Sequence, residues 1–246
     1  MVSKSQLKHI SGLARKKNRQ QSRQFIVEGI KSINEFIQSG FSMEQIFALE
    51  RAREEINSDQ ITSVSESELK KMSQLTTPQK ALAVVNIKAW SSSRQQGLKL
   101  ALDEVRDPGN LGTIIRLCDW FGIDQLICAI GTVDCYNPKV VQATMGSLSR
   151  VQVHYVDLPI YLKAATKPIY GAFMEGASVY EENLQEDAIL VLGNEANGIS
   201  PAVAKVITKK LSIPAFGESH NTESLNVAAA SAILLSEFKR RSFTGR

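Results

Sequence analysis

The sequence has no apolar run near the ~18 residues that a membrane-spanning helix needs, so nothing in it reads as a membrane segment. Its opening stretch, MVSKSQLKHISGLARKK, is basic but lacks the apolar centre of a secretory signal. Together these absences set the expectation of a cytoplasmic protein without a membrane partner. Cys118, Cys128 and Cys135 are odd in number and show no CxxC spacing, which argues against a disulfide framework and a zinc site. His9, His154 and His220 are widely scattered, so no metal is expected. Neither GxGxxG nor GxxxxGK occurs, which disfavours a Rossmann nucleotide site and a P-loop.

What is present suits a packed globular chain. Of 246 residues, 43% are hydrophobic and 22% charged, and the length suggests two unequal domains. The net charge of +4 is unevenly spread. Residues 1–31 contain eight cations (Lys4, Lys8, Arg15, Lys16, Lys17, Arg19, Arg23, Lys31) against one acid, Glu28, while the remainder has 21 basic and 24 acidic residues. A basic cluster of this kind is an electrostatic footprint for a polyanion, because each phosphate contact releases condensed counterions. Taken alone, it is equally a solvated helix face.

Apolar spacing divides the chain. Residues 1–87 read as a small α/β unit: a basic helix over about 5–17, a strand at 24–29 and a helix at 30–40. Strand-like stretches follow at 44–49, 60–64 and 80–87, with a serine-capped helix at 65–72. KAWSSSRQQG (88–97) breaks the periodicity and reads as a linker. From 98 to 246, buried strands alternate with helices, which argues for a mostly parallel sheet covered on both faces. Ligands on such sheets bind beyond the carboxyl ends of the strands, so the loops after 105, 193 and 213 become the places to search.

In the first loop, DEVRDPGNLGTIIR, Asn110 is placed to cap the next helix, and Arg116 points away from the apolar stripe of Leu111, Ile114, Ile115 and Cys118. In the second, LVLGNEANGIS, Gly193 and Gly198 bracket Glu195. In the third, a strand ends at Ile213 and Pro214, and a helix rich in alanine starts at Ser224. Each loop by itself permits an ordinary structural explanation. Arg116 is then a surface arginine, the glycines a turn and the alanines close packing.

The three motifs in this order resemble the SpoU/TrmH family of RNA 2′-O-ribose methyltransferases, within the SPOUT superfamily. The resemblance covers about 98–241, and KKNRQQSRQFIVEG resembles part of the family's substrate-binding domain. It implies that the C-terminal α/β domain is tied into a trefoil knot and binds S-adenosylmethionine. Leu192, Gly193, Asn194, Gly198, Ile213, Pro214, Leu225 and Asn226 would hold that cofactor. Arg116 matches the family's catalytic arginine, with Asn110, Glu195, Ser224 and Asn226 at its other active-site motif positions. A homodimer and an RNA partner, ribosomal RNA before transfer RNA, are also implied. Lys8, Arg15, Lys16, Lys17, Arg19 and Arg23 are the candidate RNA contacts. Cys118, Ala196 and the pair Ala215-Phe216 depart from the usual pattern, which bears on pocket shape rather than on the reaction. Two rival classes stay open at this point: a non-catalytic RNA-binding or assembly factor on the same fold, and a nicotinamide dehydrogenase. The missing GxGxxG counts against the second.

Overall fold

The computed structural model describes residues 2–90, 96–217 and 224–240. It divides into two compact units, Met1–Ser91 with Asp134–Arg150, and Ser92–Val133 with Val151–Arg246.

The first unit runs α1 (Lys4–Gly12), α2 (Lys16–Ser22), β1 (Gln24–Glu28), α3 (Ile30–Gln38), β2 (Met43–Ala48), β3 (Ile61–Ser63), α4 (Glu66–Met72) and β4 (Ala81–Asn86). Its sheet has the order β1-β4-β2-β3, with β4 antiparallel to both neighbours and β3 parallel to β2. Residues of β1 alternate between two cores, as the strand period of two requires. Ile26 joins Ile10, Leu13, Phe47, Leu69 and Leu82. Phe25, on the other face, packs against Phe36, Phe41 and Tyr136. Ser65 forms a capping box with Glu68, as its sequence signature suggests.

The single basic helix expected over 5–17 is instead two helices, α1 and α2. Gly12 closes the first, and its carbonyl accepts from Asn18 Nδ2 at 2.8 Å. The Leu13 and Ala14 carbonyls, left without helical partners at the break, accept from the Arg19 guanidinium at 2.8 Å each.

The second unit contains β5 (Lys99–Leu102), α5 (Pro108–Trp120), β6 (Gln125–Ala129), β7 (Gln152–Val156), α7 (Leu158–Lys163), β8 (Ile169–Ser178), β9 (Ile189–Leu192), α8 (Pro201–Ala204), β10 (Lys209–Ser212) and α9 (Val227–Arg240). The remaining helix, α6 (Pro138–Thr144), falls in the first unit and packs against β1. All six strands are parallel, in the order β10-β8-β9-β5-β6-β7. Ala101, Ile127, Ile189 and Val191 point to one face, where Leu158 and Leu162 of α7 and Val203 of α8 cover them. The alternate residues Leu100, Leu102, Leu190 and Leu192 are buried on the opposite face. There Tyr170 of β8 meets Phe238 of α9 edge-on, at 5.3 Å between ring centroids. A continuous apolar strand is the sequence form of a strand covered on both sides.

Candidate active site

The carboxyl ends of β5, β9 and β10 release the three loops that the sequence singles out. Asp107, not Asn110, caps α5: its Oδ1 accepts the Asn110 backbone N–H at 2.8 Å, with Pro108 in the first helical position. Asp-Pro is the stronger start signal, since proline needs no hydrogen-bond acceptor there. Asn110 is thereby drawn into the helix, and its side chain is free for other work.

That side chain joins the three loops. Asn110 Nδ2 donates to Glu195 Oε1 at 3.0 Å, and Asn226 Nδ2 donates to Asn110 Oδ1 at 2.9 Å. At the far end, Asn226 Oδ1 accepts the Ala228 and Ala229 backbone N–H groups at 2.9 and 3.3 Å. The polarity of this chain is fixed from both ends. Backbone N–H groups can only donate and a carboxylate can only accept, so each amide has one consistent orientation. Asn226 also serves as the cap of α9, which begins at Val227 rather than at Ser224. Residues 218–223 of the third loop, and residues 241–246 after α9, lie outside the described residues. So do residues 91–95 of the stretch read as a linker.

The second loop is a tight hairpin. Asn194 and Gly198 exchange two backbone hydrogen bonds of 2.9 Å each, and Gly198 has φ +65°. Asn194 Oδ1 accepts from Ala196 and Asn197 N–H, while its Nδ2 donates to the Glu104 carbonyl at 2.7 Å. Gly193 is required by close approach, because a Cβ there would lie 2.1 Å from the Gly198 carbonyl carbon. Leu192 is buried, and its carbonyl accepts from Asp103 N–H at 2.8 Å. Glu195 is exposed beside the amide chain.

Arg116 lies on the exposed face of α5 with Thr113 and Trp120. Among the described residues its side chain has neither a hydrogen bond nor an ion pair, so its guanidinium is available. Ser224 and Leu225 are exposed just before Asn226, and Ile213 and Pro214 are half-buried at the end of β10. Phe216 is 86% exposed and Leu225 49%. Leu225, next to Asn226, thus presents apolar surface beside an amide, a combination that suits the nucleoside part of S-adenosylmethionine. Of the departures, Cys118 is fully buried, where burial raises its thiol far above the usual range, and Ala196 is exposed.

The six candidate RNA contacts do not share one environment. Lys8, Arg15, Lys16, Lys17 and Arg23 are exposed. Arg19 is corrected: it is 3% exposed, and its Nε donates to Asp134 Oδ2 at 3.0 Å while its Nη1 donates to the Leu13 and Ala14 carbonyls of the break between α1 and α2. Its charge is compensated inside the unit, so it is a structural group. Sequence spacing could not show this, because the partner lies 115 residues away. Glu104 and Arg106 form an ion pair at the head of the first loop, and no spacing in the sequence marks them as a pair. Only the unusual φ of +60° at Glu104 draws attention to them.

A parallel α/β sheet with three loops hydrogen-bonded to one another at the carboxyl ends of its strands has the form of a ligand-binding domain. The chain belongs to the SpoU rRNA methylase family, whose model matches residues 97–236; a model of the MRM3-like substrate binding domain matches residues 4–83. The chain is 32% identical to the 23S rRNA (guanosine(2553)-2′-O)-methyltransferase RlmP of Bacillus subtilis, over 89% of this chain and 90% of that protein. Its fold matches a TrmH-family protein from Porphyromonas gingivalis with TM-score 0.89 and 42% identity, covering 98% and 99% of the two chains. It also matches the SpoU methyltransferase AviRb from Streptomyces viridochromogenes, solved in complex with the cofactor AdoMet. There the TM-score is 0.86 and the identity 25%, covering 99% of this chain and 100% of the other.

Proposed function

We propose that this protein transfers a methyl group from S-adenosylmethionine to a ribose 2′-hydroxyl of RNA, ribosomal RNA in particular. The observation that carries the reading is the hydrogen-bonded chain Asn226–Asn110–Glu195, which ties the third, first and second loops into one site. The likeness to RlmP, named for ribosomal RNA, supports the choice of RNA. Residues up to 87 would act as the substrate-binding module and residues from 98 as the transferase module. The reading includes a knotted chain path, a homodimer and a cytoplasmic location.

S-adenosylmethionine supplies the methyl group on a sulfonium centre. Leu192, Gly193, Asn194, Gly198, Ile213, Pro214 and Leu225 would hold it, the hairpin through backbone groups and Ile213 and Leu225 through apolar contact. Ser224 and Asn226 would orient the ribose. A free guanidinium is a poor base at neutral pH, so this reading gives Arg116 another role in place of proton removal. Its role would be to grip the phosphate next to the target sugar and to stabilise the developing alkoxide. The proton then leaves to that phosphate or to water. Lys8, Arg15, Lys16, Lys17 and Arg23 would add sequence-independent phosphate contacts.

Mapping 2′-O-methyl marks in ribosomal RNA with and without the gene tests the reading, and one site should lose its mark. Arg116→Ala should abolish methylation while calorimetry still detects S-adenosylmethionine binding. Unaltered marks in the deletion strain, together with no cofactor uptake by the purified protein, would refute the proposal.

A further inference from the structure

We infer that Arg106 is a phosphate-binding residue for the RNA strand at the rim of the active site, and that Glu104 is its positioning residue. This rests on the methyltransferase reading above and extends it to two residues to which the resemblance assigns no role.

Glu104 follows β5 and is one of three non-glycine residues with positive φ among the described residues. A side chain is unfavourable in this left-handed region, and such conformations persist where the surroundings over-determine them. Here both ends of the residue are held. Its carbonyl accepts from Asn194 Nδ2 at 2.7 Å, fastening the second loop. Its carboxylate accepts from Arg106 at 2.6 Å. The carboxylate also lies against the bare Cα of Gly131, where a Cβ would come within 2.7 Å of Glu104 Cδ. The backbone conformation therefore directs one carbonyl inward to the catalytic loops and one carboxylate outward to a single arginine.

The pair has little to offer stability. The Arg106 side chain is 66% exposed and that of Glu104 44%, and an exposed ion pair contributes little. Its value lies in what it leaves over. A guanidinium has five N–H donors in a planar fork, and among the described residues Glu104 is the sole partner of the Arg106 side chain. The remaining donors form the bidentate edge that phosphate oxygens match. Arg106 also stands at the site itself: its backbone N–H faces Glu195 Oε2 at 3.5 Å, and the next residue caps the helix bearing Asn110 and Arg116. An exposed, oriented fork beside the ribose-binding groups fits the backbone phosphate of a neighbouring nucleotide.

The test uses the full-length protein and ribosomal RNA purified from source cells lacking the gene, with transfer of a radiolabelled methyl group as the readout. Arg106→Ala should raise KM for RNA about tenfold and change kcat by less than about threefold, and the slope of log affinity against log salt should fall by about one. S-adenosylmethionine affinity should stay at the wild-type value. Arg106→Lys should restore the salt slope but not the full KM, because the charge returns without the fork. Glu104→Gln should keep the slope while KM rises a few-fold. A wild-type KM and slope in Arg106→Ala would overturn the inference. So would loss of cofactor binding in that variant, which would mark the pair as structural support, or a changed target nucleotide with an unaltered slope, which would mark base reading. Arg106→Gln replaces the alanine variant should the latter not fold. If the wild-type protein methylates no RNA, the active-site reading falls; the salt slopes of RNA binding by wild type and Arg106→Ala still decide the phosphate contact.

Discussion

Gly193 and Gly198 sit five residues apart in one hairpin, yet replacing each by alanine should have very different consequences. At Gly193 the added Cβ would meet the Gly198 carbonyl carbon at 2.1 Å, the Ile199 nitrogen at 2.3 Å and the Gly198 oxygen at 2.4 Å. All three are backbone atoms, so no rotamer can give way. To reach the 3.4 Å at which ordinary contact begins, the hairpin must open by roughly 1 Å. The two backbone hydrogen bonds between Asn194 and Gly198 are the first to be lost. At about 0.5–1.5 kcal/mol each, they account for ~1–3 kcal/mol before any strain is added. For a chain of this size that lowers the unfolding midpoint by roughly 2–12 °C. Glu195, carried on the hairpin, would move off Asn110, so S-adenosylmethionine binding and methyl transfer should both collapse. At Gly198, by contrast, a Cβ meets nothing within 4 Å, and only the φ of +65° resists it, costing about 1–2 kcal/mol. Gly198→Asn should be milder still, because asparagine tolerates that region. The assay is a thermal melt and a cofactor titration on all three variants. Equal melting points and equal cofactor affinities for Gly193→Ala and Gly198→Ala would refute the reasoning.

Three further outcomes follow from the structure. Asn226→Asp keeps the oxygen that caps α9 but loses the amide that donates to Asn110, so methyl transfer should fall while helix stability holds; Asn226→Ala should also cost about 1 kcal/mol of stability from the lost cap, read by denaturant unfolding. Arg19→Ala leaves Asp134 and the Leu13 and Ala14 carbonyls without their partner and should destabilise the protein by roughly 3–5 kcal/mol. It should nevertheless leave the salt slope of RNA binding alone, whereas neutralising Lys16 and Lys17 should flatten that slope without affecting the melt. Burial, and then the Lys99 ammonium, hold His154 below its ordinary value of 6.5, and its Nε2 is buried with no partner among the described residues. Protonation is therefore penalised in the folded state, and stability present at neutral pH is lost as pH falls through 6.5 toward the depressed value. His154→Gln should flatten that loss between about pH 7 and 5.5 in denaturant titrations, and an unchanged pH profile would dismiss the assignment.

Periodicity locates the elements well where burial dictates the residue type. The central strands β5, β6 and β9 are apolar on both faces because both are covered, so LALD, LICA and LVLG stand out from the sequence without further information. It succeeds less where a break is stabilised from far away. The division between α1 and α2 depends on Arg19 reaching back to Leu13 and Ala14, and on Asp134 compensating that arginine. Locally the stretch reads as one continuous helix. The same long-range pairing removes Arg19 from the basic surface, although by composition it is indistinguishable from Lys16 and Lys17.

At the candidate site, sequence order supplies the parts and the topology supplies their meeting. Asn110, Glu195 and Asn226 are separated by 85 and 116 residues from the partners they touch, and no spacing rule links them. The parallel sheet does, because every strand delivers its following loop to the same edge. Strand order then decides adjacency: β9 lies directly beside β5, so the hairpin after β9 reaches both Glu104 and Asn110. The helix-capping residues are where local and long-range demands coincide. Asp107 takes over the cap of α5 and releases Asn110, while Asn226 caps α9 with its oxygen and reaches across the site with its nitrogen. A side chain anchored in this way has lost its rotamer freedom before substrate arrives, which is the preorganisation that transfer between two bound groups requires.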